Sequence, residues 1–144
     1  MLERRHLLGV LAGLLLAAGC GRERESGPKL TGRVLVDGQP CRPASVYDFD
    51  VKFLSVEGVG PGKRSYQAEI RPDGTFTFNG SIGKGIPVGR YKVIVVGGVL
   101  DANGKPSGRF LGQFTEKTTP LEVEITDASR ELTIDLAKRT VTVS

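Results

Sequence analysis

Tryptophan is absent from this 144-residue chain, histidine and methionine occur once each, and cysteine occurs twice. The scarcity of histidine bears most on chemistry, because imidazole is the commonest metal ligand and general base. His6 lies at the start of an apolar N-terminal stretch, so everything after it must do without. Two cysteines permit at most one bridge, which excludes a disulfide framework. Charge of one sign is also lacking: 20 Lys and Arg against 16 Asp and Glu leave a formal charge of +4. No basic run is interleaved with aromatics, so nucleic acid is not an expected partner. The densest basic pairs, Lys63-Arg64 and Lys138-Arg139, read as solvated turn or strand-end residues. Beyond Cys20 no helical apolar repeat recurs, and no helix is expected there. Glycine is what abounds: 20 residues, about twice the roughly 7 % of average usage, which calls for many turns and short strands.

The one long apolar run, Leu7 to Cys20, follows Arg4-Arg5 and ends in Ala17-Ala18-Gly19-Cys20. A charged start, a Leu-rich centre and a small-residue exit form a secretory signal, whose helix is too short to stay as a membrane span. With a cysteine directly after the small residues it resembles the lipobox of bacterial lipoproteins, Ala17 standing where Leu is usual. The resemblance implies cleavage before Cys20, a diacylglycerol thioether on its sulfur and acylation of its new amine. It therefore implies an extracytoplasmic protein held to a membrane by lipid, at the outer membrane or the periplasmic face. Gly21, in place of the Asp that retains some lipoproteins at the inner membrane, favours the outer one.

Removing the signal, residues 1–19, leaves 125 residues and a charge of +3, enough for one domain. Residues 20–29 read as a flexible tether, because Gly21 to Lys29 contain no large apolar side chain to bury. Fully stretched, that segment reaches roughly 30 Å. With Cys20 lipidated, Cys41 has no partner; an unmodified Cys20 would leave a bridge to it open. Cys41 stands between Pro40 and Arg42-Pro43 with no base beside it, and reads as a partly buried small side chain and not a nucleophile.

From Leu30 the apolar residues alternate as strands require. Leu30 to Val36 is a first strand closed by Asp37-Gly38, a dipeptide suited to a tight turn with positive φ. In Val46 to Val56, Tyr47, Phe49, Val51 and Phe53 share one face, and Asp48, Asp50 and Lys52 the other. Ser65 to Arg71 puts Tyr66, Ala68 and Ile70 together, and Pro72-Asp73-Gly74 turns it into Thr75 to Phe78, the clearest hairpin. Arg90 to Val96 is nearly all apolar at its end, as in a central strand covered on both faces. Gly97 to Thr119 is a long irregular piece, of a length that is disordered or functional. Leu121 to Thr126 and Leu132 to Leu136 form a last pair of strands, and a change of parity after Ala137 marks a bulge or the end of pairing at Lys138-Arg139. The fold class expected is all-β: a seven-stranded antiparallel sandwich of immunoglobulin-like or prealbumin-like type over residues 30–144, preceded by the signal-peptide helix.

Four segments carry a family resemblance. Thr31-Gly32-Arg33-Val34-Leu35-Val36-Asp37-Gly38-Gln39-Pro40, Ile70-Arg71-Pro72-Asp73-Gly74-Thr75-Phe76, Ile86-Pro87-Val88-Gly89-Arg90-Tyr91-Lys92-Val93 and Leu132-Thr133-Ile134-Asp135-Leu136 span nearly the whole mature chain. Together they resemble small lipoproteins of planctomycete-type bacteria whose domain is related to the carboxypeptidase regulatory-like, or transthyretin-like, sandwich. The resemblance implies a non-catalytic envelope domain, because the zinc peptidase chemistry of the namesake resides in a separate domain.

Candidate sites are few. Asp48 and Asp50, about 7 Å apart on one strand face, have the chemistry to accept a cation or a sugar hydroxyl, or to act as a pair of acids, yet read first as a solvated face. Asp101 to Lys105 lacks the ligand run and closing Glu of a calcium loop and reads as a β-turn. Gly83-Lys84-Gly85 is followed by no helix to complete a phosphate site. Tyr47, Tyr66 and Tyr91 are expected in the core more than as an aromatic platform for carbohydrate. The expectation is thus a lipid-anchored structural or protein-interaction module and not an enzyme, with carbohydrate binding as the alternative. Cys20 is the lipid attachment site, and no catalytic residue, metal or cofactor is assigned. The membrane is the expected partner, with an envelope protein or polysaccharide beside it.

Overall fold

In the computed structural model, which describes residues 26–56, 64–78 and 85–144, the inward alternation of Leu30, Gly32 and Val34 builds β1 (Leu30–Val36). Asp37 and Gly38 then both take positive φ, 52° and 77°, the twist that lets a two-residue loop reverse a strand. The chain returns as β2 (Gln39–Pro40), an edge piece where a proline lacking N–H is tolerated. Further along come β3 (Asp50–Ser55), β4 (Ser65–Gln67), β5 (Glu69–Ile70) and β6 (Thr75–Phe78). These are followed by β7 (Gly89–Val96), β8 (Val99–Leu100) and β9 (Pro106–Ser107), then β10 (Glu122–Ile125), β11 (Glu131–Asp135) and β12 (Thr140–Val143). No helix occurs among the described residues. Among the described residues twelve strand segments stand where seven strands are expected: the expected strand Ser65 to Arg71 is divided into β4 and β5, and β2, β8, β9 and β12 are added at edges and in a loop.

Two sheets carry the fold, which is all-β and sandwich-like. One runs β12-β11-β1-β6-β5 with β2 attached to β1, the other β10-β7-β3-β4, and β8 and β9 make a separate ribbon. The layers meet through aromatic rings: Phe53 of β3 and Phe78 of β6 pack edge to face with centroids 4.6 Å apart. All six phenylalanines of the chain are buried, around a core completed by Leu30, Val34, Ile86, Leu121, Ile125, Leu132 and Ile134.

Pairing is antiparallel except between β1 and β11, which run parallel from Thr31 opposite Glu131 to Leu35 opposite Asp135. This corrects the expectation of antiparallel pairing throughout. The cause is a crossover: β10 pairs with β7 in one sheet and β11 with β1 in the other, so the last two expected strands do not pair with each other. Ser65 to Arg71 likewise divides at Ala68, β4 pairing with β3 and β5 with β6. The Ala68 N–H still bonds the Val51 carbonyl at 2.9 Å, and the chain passes from one layer to the other there.

β7 is central, between β10 and β3, but it is covered on one face only. Tyr91, Val93 and Val95 are buried, whereas Lys92 and Ile94 are half-buried and Val96 is exposed, since a two-layered stack leaves each sheet an outer side. Lys138-Arg139 marks neither a bulge nor the end of pairing. A four-residue turn with Arg139 at φ 56° joins β11 to β12, and its even length sets Ile134 opposite Val141 and Leu132 opposite Val143. Asp135, itself buried, accepts the Lys138 N–H at 3.0 Å and holds that turn. Ahead of β1, the Pro28 carbonyl accepts the Ile86 N–H at 3.1 Å, so the last residues of the expected tether lie against the domain.

Candidate functional site

The segment after β7 is ordered. Its start is pinned by the Ala44 N–H on the Gly98 carbonyl, 2.9 Å, and by the Leu100 N–H on the Arg42 carbonyl, 2.8 Å. Its end is pinned by the Val95 N–H on the Phe114 carbonyl, 3.0 Å, and by the Thr119 hydroxyl donating to the Val93 carbonyl at 2.6 Å. Phe110 and Phe114 are buried, their centroids 6.2 Å apart. Between these anchors the β8–β9 ribbon turns through Asp101-Ala102-Asn103-Gly104. Asp101 Oδ1 accepts the N–H groups of Asn103 and Lys105 at 2.8 and 2.9 Å, so this carboxylate is spent on closing the expected β-turn.

A groove of about 420 Å³ separates this ribbon from the β1–β2 turn. At its rim Arg109 Nη1 meets Asp37 Oδ2 at 2.6 Å, while its guanidinium lies 5.0 Å from the Phe110 ring centroid. Arg42 donates to the Asp101 carbonyl at 2.9 Å across it. Beside the groove the Arg109–Gly112 turn presents Leu111 to solvent, 64 % exposed. Cys41 lines the groove but is itself buried, and loss of solvation pushes its thiol up to about 11, far from thiolate chemistry at neutral pH. No local pattern marks Asp37 and Arg109 as partners, because 72 residues separate them.

Tyr47 overturns its expected place in the core: it is 94 % exposed. Regular strand begins only at Asp50, and the Ser45 hydroxyl accepts the Tyr47 N–H at 3.2 Å in a local turn, so the alternation that includes Phe49, Val51 and Phe53 does not extend back to residue 47. For the same reason Asp48 is exposed outside β3 and does not share its strand face with Asp50. Asp50 has its own partners, Gln67 Nε2 on Oδ1 and Lys52 Nζ at 3.3 Å from Oδ2. Tyr91 is buried as expected, donating to the Pro87 carbonyl at 2.6 Å, with Tyr66 half-buried against it at 5.9 Å between centroids. Desolvation, and then the neighbouring Tyr66, push the Tyr91 phenol up to about 12.

Cys20, His6, Lys63 and Gly83-Lys84 lie outside the described residues. Gly85 is described, with φ 74° beside Gly27 and Pro28. Arg64 is exposed, and Lys138 and Arg139 are solvated turn residues, Arg139 lying 5.9 Å from the Phe114 ring centroid. Among the described residues no three His, Cys, Asp or Glu side chains converge as a metal site would require. Comparison with models of known protein families, with curated proteins and with solved structures gives no match.

Proposed function

We propose that this chain is a non-catalytic, lipid-anchored protein of the bacterial cell envelope that acts as a structural or protein-interaction module. In this reading residues 1–19 are a signal peptide, Cys20 carries the lipid, and residues 20–29 tether the domain to the outer membrane or the periplasmic face. The domain, 30–144, is then a carboxypeptidase regulatory-like, transthyretin-like member of the immunoglobulin- or prealbumin-like sandwiches, with seven principal strands. The observation that carries the interaction role is the 97–119 connection. It spends two buried phenylalanines and several backbone hydrogen bonds on holding the exposed Leu111 beside the Asp37–Arg109 groove. A preformed loop with an exposed apolar tip is economical for binding, because little freedom is lost on association. Asp50 is engaged by Gln67 and Lys52 and Cys41 is buried, so the two candidate reactive groups are occupied in other ways.

The test has two arms. Cys20→Ala should move the protein from the membrane to the soluble fraction, and the mature mass of the parent should show an acylated Cys20 N-terminus. A photo-cross-linking amino acid at Leu111 in intact cells should give one reproducible envelope-protein product that the same group at Ala128 does not give. Equal products at both positions, or none, would overturn the interaction role; an unchanged distribution of the Cys20 variant would overturn the anchor.

A further inference from the structure

A tyrosine almost wholly in water forfeits the burial that the core would have supplied, and Tyr47 does so beside an open cleft of about 690 Å³. The cleft is open along much of its extent, a shape that takes a ligand lying across the surface and not one enclosed in a cavity. The cleft exists because the chain leaves the four-stranded sheet for the six-stranded one at Ala68, which parts β5 from the start of β3. Its lining brings together Tyr47, Asp50, Gln67, Glu69 and Arg71.

We propose that this cleft binds neutral saccharide, with one sugar ring stacked on Tyr47 and its hydroxyls on the Asp50–Gln67 pair. Three features select that chemistry. Charge is close to balanced: Asp50 and Glu69 line the cleft with Arg71, and Lys52, outside the lining, lies 3.3 Å from Asp50, so no strong preference for an anion or a cation is built in. The aromatic ring is free to offer a face, and the carbon–hydrogen face of a pyranose is the apolar surface that matches a flat ring carrying a polar tip. Gln67 Nε2 bonded to Asp50 Oδ1 holds an amide beside a carboxylate, and the pair has both a donor and acceptors to offer vicinal hydroxyls, with less rotamer freedom left to lose on binding. Neither the lipid anchor nor the 97–119 surface enters this site, so either reading can fail alone.

The site is tested on the full-length protein in a zwitterionic detergent free of sugar headgroups. Calorimetric titrations would use hexasaccharides of glucose in α-1,4 and β-1,4 linkage, of N-acetylglucosamine, of xylose and of mannose, with polygalacturonate as the acidic comparison. Tyrosine fluorescence is a second readout, because no tryptophan obscures it and Tyr47 is the most exposed of the three tyrosines. At least one hexasaccharide should bind; Tyr47→Ala and Gln67→Ala should each weaken it about tenfold or more, and Tyr47→Trp should retain it. The melting temperature of Tyr47→Ala should equal that of the parent, since the side chain packs on nothing buried. No binding up to about 10 mM, a concentration that detects even millimolar affinity, would overturn the proposal. So would binding that Tyr47→Ala leaves intact, or binding confined to an acidic polysaccharide such as polygalacturonate.

Discussion

The ring of Phe76 lies over Gly32 across the β1–β6 pair, occupying the place a Cβ on residue 32 would take, with the Leu132 carbonyl 2.7 Å from that same place. Gly32 therefore lets β1 lie close under the ring while pairing β11 on its other side. Gly32→Ala should cost about 1–3 kcal/mol, as other insertions into filled cores do. A fall of the urea midpoint with an unchanged slope would show it, and an unchanged midpoint would mean that the ring shifts freely.

The Asp37–Arg109 contact is short at 2.6 Å, yet both side chains are more than half exposed. Such a pair contributes roughly 0–1 kcal/mol and is screened by salt. Asp37→Asn should thus leave global stability nearly unchanged but speed amide exchange at residues 108–112. At about 1 M salt the difference from the parent should vanish. Slowed or unaltered exchange would show that Phe110 alone fixes the turn.

Alkaline pH should weaken the fold. Cys41 rises from an ordinary 9.0 to about 11 and Tyr91 from 10.0 to about 12, both by burial. Each is neutral when protonated and holds its proton in the fold above the pH at which the unfolded chain gives it up. Their contribution is therefore complete below pH 9 and lost as pH rises towards 11 and 12. The slope is at most about 1.4 kcal/mol per pH unit for each group. Urea unfolding across that range should show the fall, and Cys41→Ala should remove its lower part. The same thiol should react with a soluble disulfide reagent only after unfolding.

Asp73 holds the β5–β6 turn. Its Oδ1 accepts the Thr75 hydroxyl at 2.7 Å and the Thr75 N–H at 3.0 Å, and these bonds lower its pKa below the ordinary 3.8. The turn contact is present above pH 3.8 and lost as pH falls through the lowered value. Carboxyl NMR titration of Thr75→Val should show the Asp73 midpoint moving back up. A midpoint indifferent to the substitution would assign the shift to the backbone N–H.

Local chemistry was legible where neighbours in sequence decide the outcome. Asp37-Gly38 forms its tight turn because the two residues accept positive φ, and Phe76 and Phe78 alternate inward because strand geometry sends every second side chain one way. The same alternation failed at Tyr47. Periodicity carries the side-chain direction only as far as the strand itself, and a serine-closed turn stops it two residues beyond Phe49.

By itself, then, the sequence determined the all-β character of the described residues, most of their strand positions, the inward phenylalanines and the chemistry of the turns, all set within a few residues by backbone sterics and burial. Tertiary structure decided which strands meet: the parallel β1–β11 pair, the passage between sheets at Ala68, the clasp of Asp37 on Arg109, and the cleft beside Tyr47. Those contacts join residues tens of positions apart, where alternation is equally satisfied by either sheet. Only the packing of the two layers around the phenylalanine core distinguishes one pairing from another.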